Sequence, residues 1–232
     1  MIGNNRVIAI IPARGGSKSI PKKNLCFLNG KPLLAWTLEA AKKTDIIDRI
    51  IVSTDDKEIK REAIRQDCEV YKRPLKLSTD TSLVEDTVRY MYNLLIKEGE
   101  KCDIMLLLEV TSPFRTPYLI KKCVERLVTE NLDSLATFNK ADLNPQRAWK
   151  IIDGLPKPYF QKSNPWNPRQ LLDEAYQLNG LVYVFRPNKF SKSKCGFLFG
   201  KIGAEIVENE NIVDIDSEKD FLIADALMRE KS

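Results

Sequence analysis

The lengths of its apolar runs constrain this chain most. The longest, Val7–Ile11 and Ile104–Leu108, hold five residues each and end against polar or turn-forming residues. Five residues make one buried strand, whereas a membrane-spanning helix needs ~18–20. A continuous apolar run of that length suits a strand covered on both faces, as in a parallel sheet between helices. Segments of helical period lie between the runs. Pro32 opens a helix to about Lys43 that collects Leu33, Leu34, Leu38 and Ala41 on one face. Further helices are expected at about Lys57–Gln66, Val84–Glu98, Pro117–Glu130 and from Asp216 or Ser217 to Met228. Strands are expected at Arg49–Ser53, Glu69–Tyr71, Asp103–Leu108, Asp133–Phe138 and Leu181–Phe185, with a hairpin or edge strand in 196–207. This alternation predicts an α/β fold with a mostly parallel sheet.

The pattern breaks once. Residues 140–175 contain Pro145, Pro156, Pro158, Pro165 and Pro168 interleaved with Trp149, Tyr159, Phe160 and Trp166. A segment longer than ~12–15 residues without sheet or helix period is usually functional or interacting. Its aromatic and leucine content predicts a subunit interface. The chain therefore divides into a core, 1–139 with 176–232, and an insertion, 140–175.

Composition excludes several chemistries. Among 232 residues there is no histidine, which removes Ser-His-Asp and Cys-His nucleophiles, imidazole metal sites and imidazole proton shuttles. Catalysis must use carboxylates, lysine, arginine, hydroxyls or a metal held by oxygen. The net charge of +5 suits a small anionic ligand and does not mark nucleic-acid binding. Five cysteines, at 26, 68, 102, 123 and 195, form no CxxC pair and read as free thiols in a reducing cytoplasm. The apolar stretch after Arg6 meets Arg14 too soon for a signal peptide.

The first candidate site follows the first strand. Residues 11–24, IPARGGSKSIPKKN, carry two glycines and four cations, Arg14, Lys18, Lys22 and Lys23. Glycines let backbone N–H groups approach phosphate oxygens, and the cations neutralise them. The carboxyl end of a parallel strand is where open α/β sheets bind ligands. The spacing matches neither GxxxxGK[ST] nor GxGxxG. A second candidate is Asp214-Ile215-Asp216. In extended backbone, residues i and i+2 point the same way, so two carboxylates face one space and suit magnesium with retained waters.

With these residues in view, IPARGGSKSIPKKNL resembles the nucleotide-binding signature of the CMP-acylneuraminate synthetases, the cytidylyltransferases that activate nonulosonic acids. VSTDD (52–56), RPLKLSTDTS (73–82), TSPFR (111–115), RQ (169–170), NGLVYVF (179–185) and DIDSEKD (214–220) extend the resemblance over nearly the whole chain. It implies a Rossmann-like nucleotidyltransferase fold with a dimerisation insertion, and a magnesium-dependent transfer of CMP from CTP to a sugar acid with release of pyrophosphate. By motif, Arg14, Ser17, Lys18, Lys23 and Asn24 surround CTP, with Arg14 and Lys23 stabilising charge in the transition state. Arg73 belongs to the cytidine side, and Asp214 and Asp216 to the metal. Arg169, Gln170 and Asn179 belong to the sugar or nucleotide, and Arg147 sits near where a neighbouring subunit's basic residue reaches the site. The expected protein is a cytoplasmic homodimer without nucleic-acid or membrane partners.

One departure bears on specificity. Relatives read LQPTSP where this chain reads Leu108-Glu109-Val110-Thr111-Ser112-Pro113. A carboxylate, Glu109, replaces an amide that faces the sugar, so Glu109 is expected to accept hydrogen bonds from sugar donors or to pair with Arg115. The alternatives are a CMP-Kdo synthetase, which shares an early PAR-x-x-S-x-R/K loop, and a non-catalytic nucleotide-binding module.

Overall fold

The computed structural model describes residues 2–190, 196–208 and 212–230. In chain order the elements are β1 (Val7–Pro12), β2 (Phe27–Leu28), β3 (Lys31–Pro32), α1 (Leu33–Lys42), β4 (Arg49–Thr54), α2 (Lys57–Arg65), β5 (Glu69–Lys72), α3 (Val84–Lys97) and β6 (Ile104–Leu107). Then come α4 (Pro117–Thr129), β7 (Ser134–Lys140), β8 (Trp149–Ile152), β9 (Leu155–Pro158), β10 (Tyr176–Phe185), α5 (Pro187–Phe190), β11 (Ile202–Ile206) and α6 (Glu218–Arg229). Seven strands form one sheet in the order β11-β7-β10-β6-β1-β4-β5. β1, β4, β5 and β6 are mutually parallel, β11 is parallel to β7, and β10 runs antiparallel to both its neighbours. The sheet is thus mostly parallel, as the alternating pattern predicts.

Strand order positions the site. From β1 the chain moves outward through β4 and β5, then returns to place β6 on the other side of β1. The carboxyl ends of β1 and β6 therefore flank a topological switch point, where the connecting loops part and leave a crevice. Period-two alternation fills both faces. Val7, Ala9 and Ile11 join α1, α4 and α6 through Leu34, Leu38, Ile120, Val124 and Ala224. Ile8 and Ile10 face α3 through Val88, Met91 and Leu95, with Phe185 and Phe190 beside them. Each fully buried isoleucine contributes ~1.5–3 kcal/mol, so β1 is fixed from both sides and its loop starts from a rigid base. Among the described residues no helix is long and apolar enough to cross a membrane.

β10 starts at Tyr176, five residues before the expected Leu181, because Tyr176, Gln177 and Leu178 extend the pairing with β7. The ladder slips between Leu178 and Tyr183, and this bulge carries Asn179-Gly180 beside the end of β6. Beyond the stem, closed by Ala141 N–H donating to Ala175 O at 2.9 Å, the insertion carries the β8–β9 hairpin as a separate two-stranded sheet. Trp149 packs edge-on against Trp166 at 5.9 Å, and Trp166, Ile151, Leu155 and Leu171 are exposed. Cys26, Cys68, Cys102 and Cys123 are free thiols, and Cys195 lies outside the described residues.

Candidate active site

Backbone and carboxylate contacts shape the loop after β1. Ala13 N–H extends the β1–β4 pairing by donating to Ser53 O at 3.0 Å. Gly15 N–H donates to Asp55 Oδ1 at 3.1 Å, and a Cβ on Gly15 would lie 2.8 Å from Asp56 Cβ. Only glycine fits that approach. Asp56 is itself fixed, since its Oδ1 caps α2 by accepting from Glu58 N at 2.7 Å and Ile59 N at 2.9 Å. Asn24 Nδ2 closes the loop on Arg14 O at 2.9 Å. Lys22 turns away to Glu58 at 2.6 Å, which leaves Arg14, Lys18 and Lys23 as the cations of this loop that line the crevice.

The 73–82 loop covers the other side. Arg73 is buried and donates through Nε and Nη2 to Leu77 O, a brace that folds the loop back; burial lowers its pKa. The brace presents Asp80 to the loop cations, with Arg14 Nη1 at 3.2 Å and Lys18 Nζ at 2.9 Å. These cations hold the Asp80 carboxyl below its usual range, Lys18 first.

The Asp214–Asp216 segment is anchored between its carboxylates. Ile215 is buried in the core, and its N–H donates to Thr111 O at 2.8 Å. Asp214 and Asp216 therefore both point outward. Ser217 caps α6 in a reciprocal box with Asp220, so the Asp216 side chain is not used as a helix cap. Lys23 Nζ bonds Ile215 O at 2.7 Å and Asp216 Oδ1 at 3.1 Å. Lost hydration and then the neighbouring Asp216 raise the Asp214 pKa, against a hydrogen bond from Thr111. Asp214 is open to solvent on one side, which limits that shift. Among the described residues no three or more Asp, Glu or Cys side chains converge as a metal cluster. Two carboxylates nevertheless fit magnesium, which binds few protein ligands and keeps water and phosphate oxygens.

Glu109 completes the crevice. It follows β6, is half-buried, and sits against the Gly180 bulge. A Cβ on Gly180 would lie 2.9 Å from Ser112 Oγ, 3.3 Å from Glu109 Oε2 and 3.6 Å from Asp214 Oδ2, and the backbone there has φ +68°. Burial, and then Asp214, push the Glu109 carboxyl up to about 7, although Arg115 opposes this. Arg115 does not form the ion pair anticipated for Glu109. Its Nη2 donates to the main-chain oxygen of Glu109 at 2.7 Å.

A cavity of about 450 Å³ unites these groups. Arg14, Ser17, Lys18, Lys23, Asn24, Arg73, Glu109 and Asp216 all line it, as do Asp80, Ser82 and Thr111. Asp214 adjoins it through Thr111 and Gly180. Asn179 lies behind the wall, buried, with Oδ1 accepting from Thr137 Oγ1 at 2.6 Å and Leu181 N at 3.2 Å. Among the described residues its Nδ2 has no partner. Arg169 and Gln170 are not in the cavity. They are exposed on a short turn of the insertion, and Arg169 shares a separate cavity of about 350 Å³ with Arg147. Sequence reading missed Asp80 and the structural part played by Arg115. Both stand inside recognised motifs, RPLKLSTDTS and TSPFR, but their partners come from distant segments.

Residues 8–191 match the family model described as cytidylyltransferase. The chain is 34% identical over 236 residues to a CMP-N,N'-diacetyllegionaminic acid synthase of Legionella pneumophila, covering 96% of each. It is 30% identical to post-translational flagellin modification protein B of Campylobacter coli, covering 98% of this chain and 97% of that one. A solved CMP:2-keto-3-deoxy-manno-octonic acid synthetase complexed with CTP has the same fold, with a TM-score of 0.72 and 16% identity over 98% of this chain and 100% of that one. With residues 8–191 matched by the family model and relatives of 30% identity or more covered nearly end to end, the chain belongs to the cytidylyltransferase family.

Proposed function

We propose that this protein transfers CMP from CTP to the anomeric hydroxyl of a sialic-type nonulosonic acid. The hydroxyl oxygen bonds to the α-phosphorus, the bond from that phosphorus to the bridging oxygen breaks, pyrophosphate leaves, and the hydroxyl proton passes to solvent. The observation that carries this reading is the convergence of Arg14, Lys18 and Lys23 with Asp216 and Glu109 around one cavity. Such transfers depend on positioning and charge neutralisation and need no histidine. Arg14 and Lys18 would exchange Asp80 for the phosphates, and Lys23 would hold the leaving side. Magnesium bound by Asp214 and Asp216 would neutralise phosphate charge and lower the proton affinity of the attacking hydroxyl. Identity of 34% to the legionaminic acid synthase, against 16% to the octonic acid synthetase, favours a nonulosonic acid over Kdo. Pyrophosphate release with CTP, magnesium and a panel of sugar acids tests the reading. Release with Kdo alone moves the protein to the other branch, and no release with any acid removes the reading.

Glu109 reads the sugar in this account. Among the described residues no protein donor bonds its carboxylate, so hydroxyl or amide N–H groups of the acid are its partners. Glu109→Gln should shift the ratio of kcat/KM between N-acetylneuraminate and a diamino relative by about tenfold. A ratio that stays constant removes the contact. The same variant has a stability signature. The folded pKa is raised, so the folded state binds the extra proton between about pH 4.5 and 7 and stability falls as pH rises through that window. Glu109→Gln should therefore stabilise the free protein by on the order of 2 kcal/mol at pH 8 and leave it unchanged near pH 4. Equal melting shifts at both pH values contradict this.

The insertion supplies the dimer in this reading. Trp166 is 80% exposed, Leu171 74% and Ile151 67%, an apolar surface that a second copy would cover. Arg147 and Arg169 of one copy then stand ready for the sugar carboxylate in the other, since guanidinium suits bidentate carboxylate binding. Sedimentation at micromolar concentration should show a dimer, and a fully active monomer contradicts it. A cytoplasmic location accords with CTP as substrate and with four free thiols among the described residues.

A further inference from the structure

Resting on the cytidylyltransfer reading above, we propose that Arg115 is the positioning residue of the sugar-acid end of the site. Its guanidinium ties the Glu109 loop to the Gly180 bulge and supplies the buried positive charge that lets Glu109 and Asp214 share one wall.

Arg115 is 4% exposed, and all its hydrogen bonds go to oxygens without formal charge. Nη2 bonds Glu109 O at 2.7 Å and Gly180 O at 3.1 Å, so one nitrogen joins the two walls. Nε bonds Leu181 O, and Nη1 bonds Thr37 Oγ1 of α1 at 3.1 Å. Thr37 Oγ1 also donates to Glu109 O, at 3.4 Å. Three elements are thereby fixed around one planar fork, a geometry that lysine cannot reproduce.

Neutral donors could satisfy the same carbonyls, and burying a guanidinium is costly. The adjacent carboxylates account for the cation. Glu109 Oε2 and Asp214 Oδ2 converge, with Ser112 Oγ, on the side of Gly180 where a Cβ would lie, 3.3 and 3.6 Å from that position. Without a cation behind that wall, two like charges would face each other across the bulge. The phosphate-facing cations, Arg14, Lys18 and Lys23, bond to Asp80, Thr79, Ile215 and Asp216 and not to Arg115 or Thr37. Disturbing the fork should thus reach the sugar acid first, and CTP only through Asp214.

The test uses the full-length protein with Arg115→Lys, Arg115→Gln, Glu109→Gln and the Arg115→Gln/Glu109→Gln double variant. Arg115→Lys should raise KM for the sugar acid about tenfold, with the CTP Kd from calorimetry within about threefold of wild type. The double variant should recover about tenfold in kcat/KM over Arg115→Gln, or ~1.4 kcal/mol. CTP affinity falling in step with sugar KM, or double-variant losses that simply multiply, overturns the proposal. Thr37→Val leaves the cation in place and covers the case in which Arg115 variants fail to fold. It should raise sugar KM about threefold, and an unchanged KM counts against the fork. Melting at pH 8 reads the charge role without any turnover. Glu109→Gln should raise the melting temperature more in the Arg115→Gln background than in wild type, and equal shifts overturn that role. A wild-type protein inactive on every sugar acid removes the cytidylyltransfer reading, while the melting comparison still decides the charge role.

Discussion

Asp216→Asn should lower turnover by roughly 10²–10³-fold and leave the fold intact. The two halves of this expectation have separate causes. Asp216 is 77% exposed in its side chain, Ser217 rather than Asp216 caps α6, and the substitution weakens a single ion pair, to Lys23 at 3.1 Å. With the carboxylate this exposed, and with Lys23 keeping its bond to Ile215 O, the loss should stay within ~1 kcal/mol and the melting temperature should barely move. In the proposed mechanism the same carboxylate would be one of two ligands offered to magnesium beside the phosphates. An amide keeps the shape and one weak ligand oxygen but discards the charge. Turnover measured against magnesium concentration checks it. Near-wild-type turnover at limiting magnesium would remove Asp216 from the metal site.

Arg14→Ala and Lys23→Ala should each lower kcat by roughly 10²-fold while weakening CTP binding less than about tenfold. In the free protein neither cation is idle. Arg14 holds Thr79 O at 2.8 Å and Asp80 at 3.2 Å, and Lys23 holds Ile215 O and Asp216. Binding CTP exchanges one anionic partner for another, so the ground-state gain is small. In the proposed mechanism negative charge grows, as pyrophosphate leaves, on oxygens that these cations would face, and their advantage would appear in the transition state. Calorimetry for CTP alongside kcat separates the two. Affinity and turnover falling by the same factor would make both residues binders only.

Much of the fold is legible in the sequence because the strands are short, apolar and bounded. Val7–Pro12 and Ile104–Leu107 stand where five-residue runs predict them, and the basic loop follows the first. Gly15 illustrates what sequence alone leaves open. A glycine in a basic loop is expected to approach phosphate, and nothing local shows that a Cβ on Gly15 would also meet Asp56, fixed there by the capping of α2. Arg115 is legible as a residue but not in its role, because three of its partners come from distant segments: Gly180 O and Leu181 O at the bulge of β10, and Thr37 Oγ1 on α1. Asp80 is hidden for a similar reason. Nothing local to RPLKLSTDTS shows that Arg73 folds the loop until Asp80 meets Lys18. Arg169 and Gln170 lie on a proline-flanked turn whose path no periodicity fixes.

The most direct measurement of the central claim follows phosphorus by NMR in a mixture of the purified protein, CTP, magnesium and a nonulosonic acid. The three CTP resonances should give way to one phosphodiester signal of a CMP-sugar and one of inorganic pyrophosphate, in equimolar amounts, and only when the acid is present. Unchanged CTP, or conversion to CDP and phosphate whether or not the acid is added, would contradict it.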